Sequence, residues 1–92
     1  MEILLAATIT RSPKVIETTV GSETVLMMIE TGECIGLGET GSEVWRRLAT
    51  PLSITALVEQ LRAIHDAPAD VIEKDVDELL RKLRGHNLIS IE

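Results

Sequence analysis

The stretch "CIGLGETGSEVW", residues 34–45, is where the pattern of this chain changes from strands to helices. Before it, short β-prone runs alternate with turn residues, and after it apolar residues recur with the period of helices. Its three glycines also have the order G-x-G-x-x-G, which in a dinucleotide-binding loop follows a strand and opens a helix. The stretch therefore raises two questions, which fold it divides and whether it binds a nucleotide.

A dinucleotide-binding loop needs a second parallel strand that ends in an acidic residue about 20 positions after the glycines. At that distance Glu59 lies inside an amphipathic helical run, residues 54–64, so it cannot end a strand. Glu39, between the glycines, would also place a negative charge where the pyrophosphate should bind. We therefore expect no nucleotide here, and we assign the three glycines to a strand exit and the first turn of a helix.

Three β-prone runs precede this helix, and turn residues separate them: residues 15–20, 24–30 and 33–37, with Gly21-Ser22 and Thr31-Gly32 between them. The middle run contains Val25-Leu26-Met27-Met28-Ile29, which is apolar on both faces and so predicts a central strand covered on both sides. The third run then lies at an edge of a three-stranded meander.

Three helices are predicted after residue 37. Thr40 and Glu43 have the spacing of a capping box at the start of the first helix. Ser53 is a suitable N-cap for the second, and Asp70 with Glu73 gives an acidic capping arrangement for the third, which we expect to stop at Gly85. The apolar face of the second helix is Ile54, Leu57, Val58, Leu61 and Ile64, and that of the third is Ile72, Val76, Leu79, Leu80 and Leu83.

These elements predict an α+β fold of the winged helix-turn-helix-like kind, a three-stranded antiparallel sheet followed by three helices. The tail, residues 88–91, is expected to be a closing strand or a docked end. We divide the 92 residues into an N-terminal arm, residues 1–14, and one domain, residues 15–92. The arm lacks the charge and length of a targeting or membrane segment, so we expect a strand or docking arm that pairs with a second copy in a homodimer.

Composition excludes several classes of function. Fifteen acidic against nine basic residues give a net charge of −6, which disfavours nucleic acid and favours a cationic partner. Cys34 is the only cysteine, so an internal disulfide is excluded, and we expect a cytoplasmic protein. His65 and His86 are isolated, and Cys34 has no base beside it. We therefore predict no metal, no cofactor, no membrane association and no enzymatic activity.

Two functions suit a winged-helix-like module of this kind. One is peptide binding along the edge of the third predicted strand. The other is a regulator that binds DNA or another protein, which would need a basic face from Arg46, Arg47, Arg62 and the cluster Arg81-Lys82-Arg84. The third helix begins with acidic residues, so we prefer the peptide-binding hypothesis.

Two long segments resemble a known family. They are "TGECIGLGETGSEVWRRL" (residues 31–48) and, after Pro51, "SITALVEQLRAIHDAPADVIEKDVDELLRKLRGHNLI" (residues 53–89). The sequence is similar to the PqqD-like family, the precursor-peptide recognition modules of ribosomally made, modified peptides. The features that carry the resemblance are the strand that ends in Leu37, the step Thr40-Gly41-Ser42 into Val44-Trp45, the pairs Asp75-Val76 and Leu79-Leu80 with Leu83, and Asn87-Leu88-Ile89.

The resemblance implies a noncatalytic domain that binds the leader segment of a precursor peptide as an extra strand. Its implied strand contacts are Glu33, Cys34, Ile35, Gly36 and Leu37, and its implied groove wall is Asp75, Val76, Leu79, Lys82 and Leu83. Similar stand-alone members of lasso peptide pathways hand the leader to a cysteine protease, and those of cofactor biosynthesis hand it to a radical enzyme. The third strand of this chain lacks the aromatic residues that many family members have there.

Overall fold

The computed structural model describes residues 7–92, which form two small antiparallel sheets and three helices. In chain order the elements are β1 (Thr8–Arg11), β2 (Val15–Val20), β3 (Glu23–Met28), β4 (Cys34–Leu37), α1 (Glu39–Arg47), β5 (Leu52–Ser53), α2 (Ile54–Ile64), α3 (Ala69–Gly85) and β6 (Ile89–Ile91). One sheet has the order β2-β3-β4 and the other β5-β1-β6. The predicted α+β fold, with a three-stranded antiparallel sheet before three helices, is confirmed.

The β2-β3-β4 sheet is the predicted meander. Gly21 has φ +64° in the two-residue turn between β2 and β3, and Gly32 has φ +72° in the turn before β4. Along β3 every second side chain, at Thr24, Leu26 and Met28, is buried beneath the helices, while those between them are only partly covered. The prediction that both faces of this strand are covered is therefore wrong, because the buried side chains of β3 and β4 lie on one face of the sheet, where α1 packs.

The β5-β1-β6 sheet was not predicted. It has β1 at its centre, so both edges of β1 are already paired, and Ile9 is fully buried. The tail forms β6, in agreement with one of the two predicted outcomes. The expected pairing of the N-terminal arm with a second copy finds no free edge at β1, and the part of that expectation that concerns residues 1–6 lies outside the described residues.

Helix starts follow the entering chain more than the capping patterns. The N-cap of α1 is Gly38, so Thr40 lies inside the helix and does not cap it. The predicted capping box is therefore wrong. The N-cap of α3 is Pro68, which likewise places Asp70 in the first turn. Ser53 is the confirmed cap: its hydroxyl accepts a hydrogen bond from the N–H of Ala56 at 3.1 Å.

Helix α3 ends at Gly85, as predicted, but the left-handed residue that closes it lies two positions further on. Asn87 has φ +60°, and its N–H donates to the carbonyl of Arg84 at 3.0 Å. The N–H of Leu88 reaches back to the carbonyl of Leu83 at 2.9 Å, which completes a Schellman motif. Asparagine tolerates the left-handed conformation, so this turn is made without a glycine.

The core joins both sheets to the inner faces of the helices, and it is aliphatic apart from Trp45. Arg11 from β1 stacks over the Trp45 ring, 4.3 Å from its centroid, and its guanidinium also pairs with Glu17 of β2 at 3.1 Å. One cation therefore connects the two sheets over the only aromatic ring.

Candidate functional site: the β4 edge and the groove beside it

Strand β4 has one free edge. Among residues 7–92 it pairs with β3 alone, in antiparallel register with Leu26 opposite Ile35. The N–H of Met28 donates to the carbonyl of Glu33 at 2.9 Å, and hydrogen-bonded pairs alternate in such a ladder. Glu33, Ile35 and Leu37 therefore direct their backbone groups at β3. Cys34 and Gly36 direct their N–H and C=O groups outward.

The glycines near this edge leave space that nothing in the described chain occupies. A Cβ atom at Gly36 or Gly38 would meet no heavy atom within 4 Å, and neither glycine has a positive φ. Packing and backbone conformation therefore do not require glycine at these two positions. A bare backbone at an edge does allow another chain to approach closely.

The free edge runs beside helix α3. At the start of β4, Glu33 Oε1 lies 2.6 Å from Nδ1 of His86, the C-cap of α3. At the end of β4, Leu37 lies beneath Gly41, and a Cβ atom on Gly41 would be 3.2 Å from Leu37 Cβ and 3.7 Å from Leu79 Cδ1. The glycine in α1 thus allows close packing of α1 on β4 and keeps the groove beside α3 open.

Two cavities along α3 form a continuous groove, which we call the α1–α3 groove. The cavity nearer β4 has a volume of about 340 Å³ and is lined by Thr40, Gly41, Asp75, Glu78, Leu79 and Lys82. The deeper one, the apolar pocket, has a volume of about 130 Å³ and is lined by Thr40, Val44, Leu61, His65, Ala67, Ile72, Asp75, Val76 and Leu79. The two share three residues, so a ligand could extend from one into the other.

Some of the residues expected to form the site line the groove, namely Asp75, Val76, Leu79 and Lys82. Of residues 33–37, Leu37 lies against Gly41 of the groove lining. Leu83 is fully buried in the core and contributes no surface to the groove wall. The side chains of Ile35 and Leu37 are also buried, so strand pairing at these positions would involve backbone groups of their neighbours.

The part of the groove that α1 and α2 supply was not predicted from the sequence. Thr40 and Gly41 come from the first turn of α1, and Leu61 with His65 comes from the end of α2. A glycine inside a helical pattern was the one local signal, because it indicates close packing against a neighbour. Nothing in the periodicity of α2 indicates that its end meets α3 at a pocket.

Charge in and around the groove is mainly acidic. Asp75 and Glu78 line it, and Lys82 is the one lysine or arginine among its lining residues. Nearby on α1, the hydrogen bond from Arg46, with Arg47 adding to it, holds the pKa of Glu43 below its usual value. The groove therefore has an apolar floor with carboxylates at its margin.

Several cations of the proposed basic face are already paired. Arg46 and Arg47 both bind Glu43, and the guanidinium of Arg47 also donates to Gln60 at 3.1 Å. Arg81 pairs with Asp77 at 2.9 Å. These ion pairs neutralise a surface that a DNA-binding helix would need to keep positive, so the regulator hypothesis loses its main support.

Other kinds of site find no support in the part of the chain that is described. Strand β4 pairs antiparallel with β3, and the strand after α1 belongs to the other sheet, so the glycine motif lacks the parallel strand of a nucleotide site. Residues 7–92 hold no group of three side chains able to ligate a metal, and no helix among them has the length and hydropathy to span a bilayer.

Comparisons with known proteins agree with this geometry. The family model of coenzyme PQQ synthesis protein D (PqqD) matches residues 23–89. A solved structure of TbiB1 in complex with the TbiA(beta) leader peptide superposes with a TM-score of 0.82 at 26% identity, covering 88% of this chain and 94% of that one. A search of the curated proteins gave no match.

Proposed function

The chain belongs to the PqqD family, and from that premise we propose that it binds the leader segment of a ribosomally synthesised precursor peptide as an extra strand on β4. The observation that carries the proposal is the free backbone edge of β4 beside an apolar groove. The similar structure is itself a leader-peptide complex, which supports the same class of ligand.

Strand addition uses both parts of the site. Cys34 and Gly36 each offer one N–H and one C=O, so an extended peptide can form up to four backbone hydrogen bonds that do not depend on its sequence. Side chains of the added strand alternate between the two faces of the sheet. Every second one then faces the α1–α3 groove, where the sequence of the leader is read.

The apolar pocket limits the size of the leader side chain that can be bound. Its volume of about 130 Å³ is close to that of an engineered cavity, about 150 Å³, that holds a benzene molecule. We expect one aliphatic or aromatic side chain of the leader to fill it, against Ile72, Val76 and Leu79. This anchor supplies apolar contact that the aromatic-free β4 cannot.

We propose that the chain has no catalytic role and presents the leader to a separate enzyme. Of the two kinds of partner enzyme that the resemblance implies, we propose the leader protease of a lasso peptide pathway, a cysteine protease, ahead of a radical enzyme. Among the described residues, the thiol of Cys34 contacts the carbonyl of Gly32 at 3.7 Å and His86 pairs with Glu33, so no nucleophile and base are paired, which supports an adaptor.

A binding titration tests the proposal directly. Fluorescently labelled leader peptides of precursors encoded near the gene, and a random DNA duplex, are titrated with the purified protein and followed by anisotropy. Saturable binding of one leader and none of DNA is the expected result. Binding of DNA alone, or of no peptide, would refute leader recognition. Copurification of the candidate protease, with and without the leader, then tests delivery separately.

A further inference from the structure

Strand β2 presents a second free edge, on the opposite side of the sheet from β4. Among the residues described, 7–92, only β3 pairs with it, and its positions from Ile16 to Val20 are exposed. Five of its six residues, VIETTV, are β-branched, and it holds no proline, lysine or bulge. Its one charged side chain, Glu17, is paired with Arg11 at 3.1 Å, so the edge is long, regular and free of unpaired charge, which is the kind that pairs with another strand.

The existing hydrogen bonds decide which groups this edge offers. The N–H of Ile29 donates to the carbonyl of Lys14 at 3.0 Å, so Lys14 and Ile29 form a hydrogen-bonded pair of the β2–β3 ladder. Because such pairs recur every second residue, Ile16, Thr18 and Val20 bond to β3. Val15, Glu17 and Thr19 therefore direct their N–H and C=O groups outward, where nothing described pairs with them.

We propose that two copies of the chain pair through this edge, β2 against β2, to form one continuous six-stranded sheet. In an antiparallel pair related by a twofold axis, outward-directed residues must face outward-directed residues. The registers with the longest overlap that satisfy this rule centre on Glu17 or on Thr18. Centring on Glu17 places two like charges opposite each other, which is unfavourable.

The register centred on Thr18 places no like charges opposite each other. Thr18 lies opposite the partner's Thr18 as a non-hydrogen-bonded pair, and Glu17 exchanges two hydrogen bonds with the partner's Thr19. On the outer face, Ile16 lies opposite the partner's Val20. These two residues are 47% and 62% exposed in the single chain, and the pairing covers both. The Glu17 carboxylate keeps its ion pair with Arg11.

A second copy is the occupant that this edge fits best, because the strand is its own complement in charge and shape. The outer face around it, Ile16, Thr18, Val20, Glu23, Val25, Met27, Cys34 and Gly36, carries a single charge in a chain of net charge −6. Two acidic molecules can therefore meet here with little repulsion. Pairing at β2 leaves each β4 edge open, so the dimer and peptide binding are independent.

Disulfide trapping tests the register. In a Cys34→Ser background, Thr18→Cys places the two introduced cysteines opposite each other in the dimer. Their Cα atoms are then about 4.5 Å apart, a distance that a disulfide can bridge. The matched control, Val20→Cys in the same background, puts its two copies about 13 Å apart along the strand direction. We expect the first variant to form the linked dimer at least about tenfold faster under mild oxidation, owing to its higher effective concentration. Equal rates would refute the register.

Sedimentation equilibrium tests the dimer itself. The interface is small and belongs to the weak class, so the protein is measured up to about 1 mM. Thr18→Glu places two carboxylates at the centre and should abolish association, while Thr10→Glu, an equal change of charge at an exposed position of β1, should not. A wild-type monomer throughout the range, or equal association of both variants, would overturn the proposal.

Discussion

Proline at Cys34 would separate recognition by the β4 edge from every other contribution to binding. Cys34 is the first residue of β4, its side chain is exposed, and its N–H is directed away from β3. Proline is tolerated at the first residue of a strand, where it removes only that donor. At Ile35 the same change would remove a backbone N–H that is bonded to β3, so the sheet would lose a hydrogen bond. It would also replace a side chain that is only 8% exposed.

The size of the effect follows from the bond that is lost. In the free protein the N–H of Cys34 is available to water, so its removal should change the free energy of unfolding by less than about 1 kcal/mol. In the complex a leader carbonyl is left without a donor, which costs about 1–3 kcal/mol. At about 1.4 kcal/mol for each factor of ten, Kd should rise about 5- to 150-fold.

The assay compares three proteins with one labelled leader peptide. Anisotropy titrations give Kd for the wild type, Cys34→Pro and Cys34→Ser, and thermal melts show whether each remains folded. Serine keeps the N–H and alters the side chain, so its Kd should match that of the wild type. Strand addition at this edge would be refuted by a Pro variant that is folded and binds with unchanged affinity, or by a Ser variant that loses as much.

Three further predictions concern the residues that support the site. Ser42 is fully buried, and its hydroxyl accepts from the N–H of Thr24 at 2.9 Å and donates to the carbonyl of Leu37 at 3.1 Å. Ser42→Ala should therefore lower the free energy of unfolding, measured in urea, by about 1–3 kcal/mol, and a loss below about 0.5 kcal/mol would contradict this role. Leu79→Ala should weaken leader binding about tenfold, while Leu80→Ala, at a fully buried neighbour, should lower the free energy of unfolding by about 2–5 kcal/mol. Leu79→Ala should destabilise the fold far less, and equal destabilisation would place Leu79 in the core. Because the pKa of Glu43 is lowered in the folded state, its ion pairs stabilise the fold above the ordinary pKa of glutamate, and this stability is lost as pH falls through the folded pKa. Glu43→Gln should therefore reduce the dependence of the unfolding free energy on pH between about pH 7 and about pH 3. An unchanged dependence would argue against the ion pairs.

Some sequence signals located elements well, and others failed at their ends. Periodicity placed all three helices and the β2-β3-β4 meander, because alternation and the 3.6-residue repeat report directly on which face is buried. The S/T-x-x-E pattern at Thr40 lies two residues too late for a cap, since the chain leaves β4 at Gly38 and is already helical at Glu39. Ser53 has the same type of side chain but stands where the chain is still extended.

The site was predictable in its two halves and not as a whole. An apolar strand followed by glycines indicated the edge, and the stripe of α3 indicated a groove wall. Thr40, Gly41 and His65 line the same groove only because α1 and α2 pack against α3, and no local pattern contains that packing. Leu83 shares the helical face of Leu79, yet one is buried and the other lines the groove.

What the sequence by itself determined was the order of the elements, the acidic charge, the amphipathic faces and the family resemblance, because each depends on residues close together in the chain. What only the tertiary structure decided was which edges stay free. The segment expected to reach for a second copy became the centre of the β5-β1-β6 sheet, and within residues 7–92 both β2 and β4 kept one open edge. Strand pairing joins residues distant in sequence through backbone groups common to all residues, so side-chain patterns cannot specify the partner, and only the folded chain shows it.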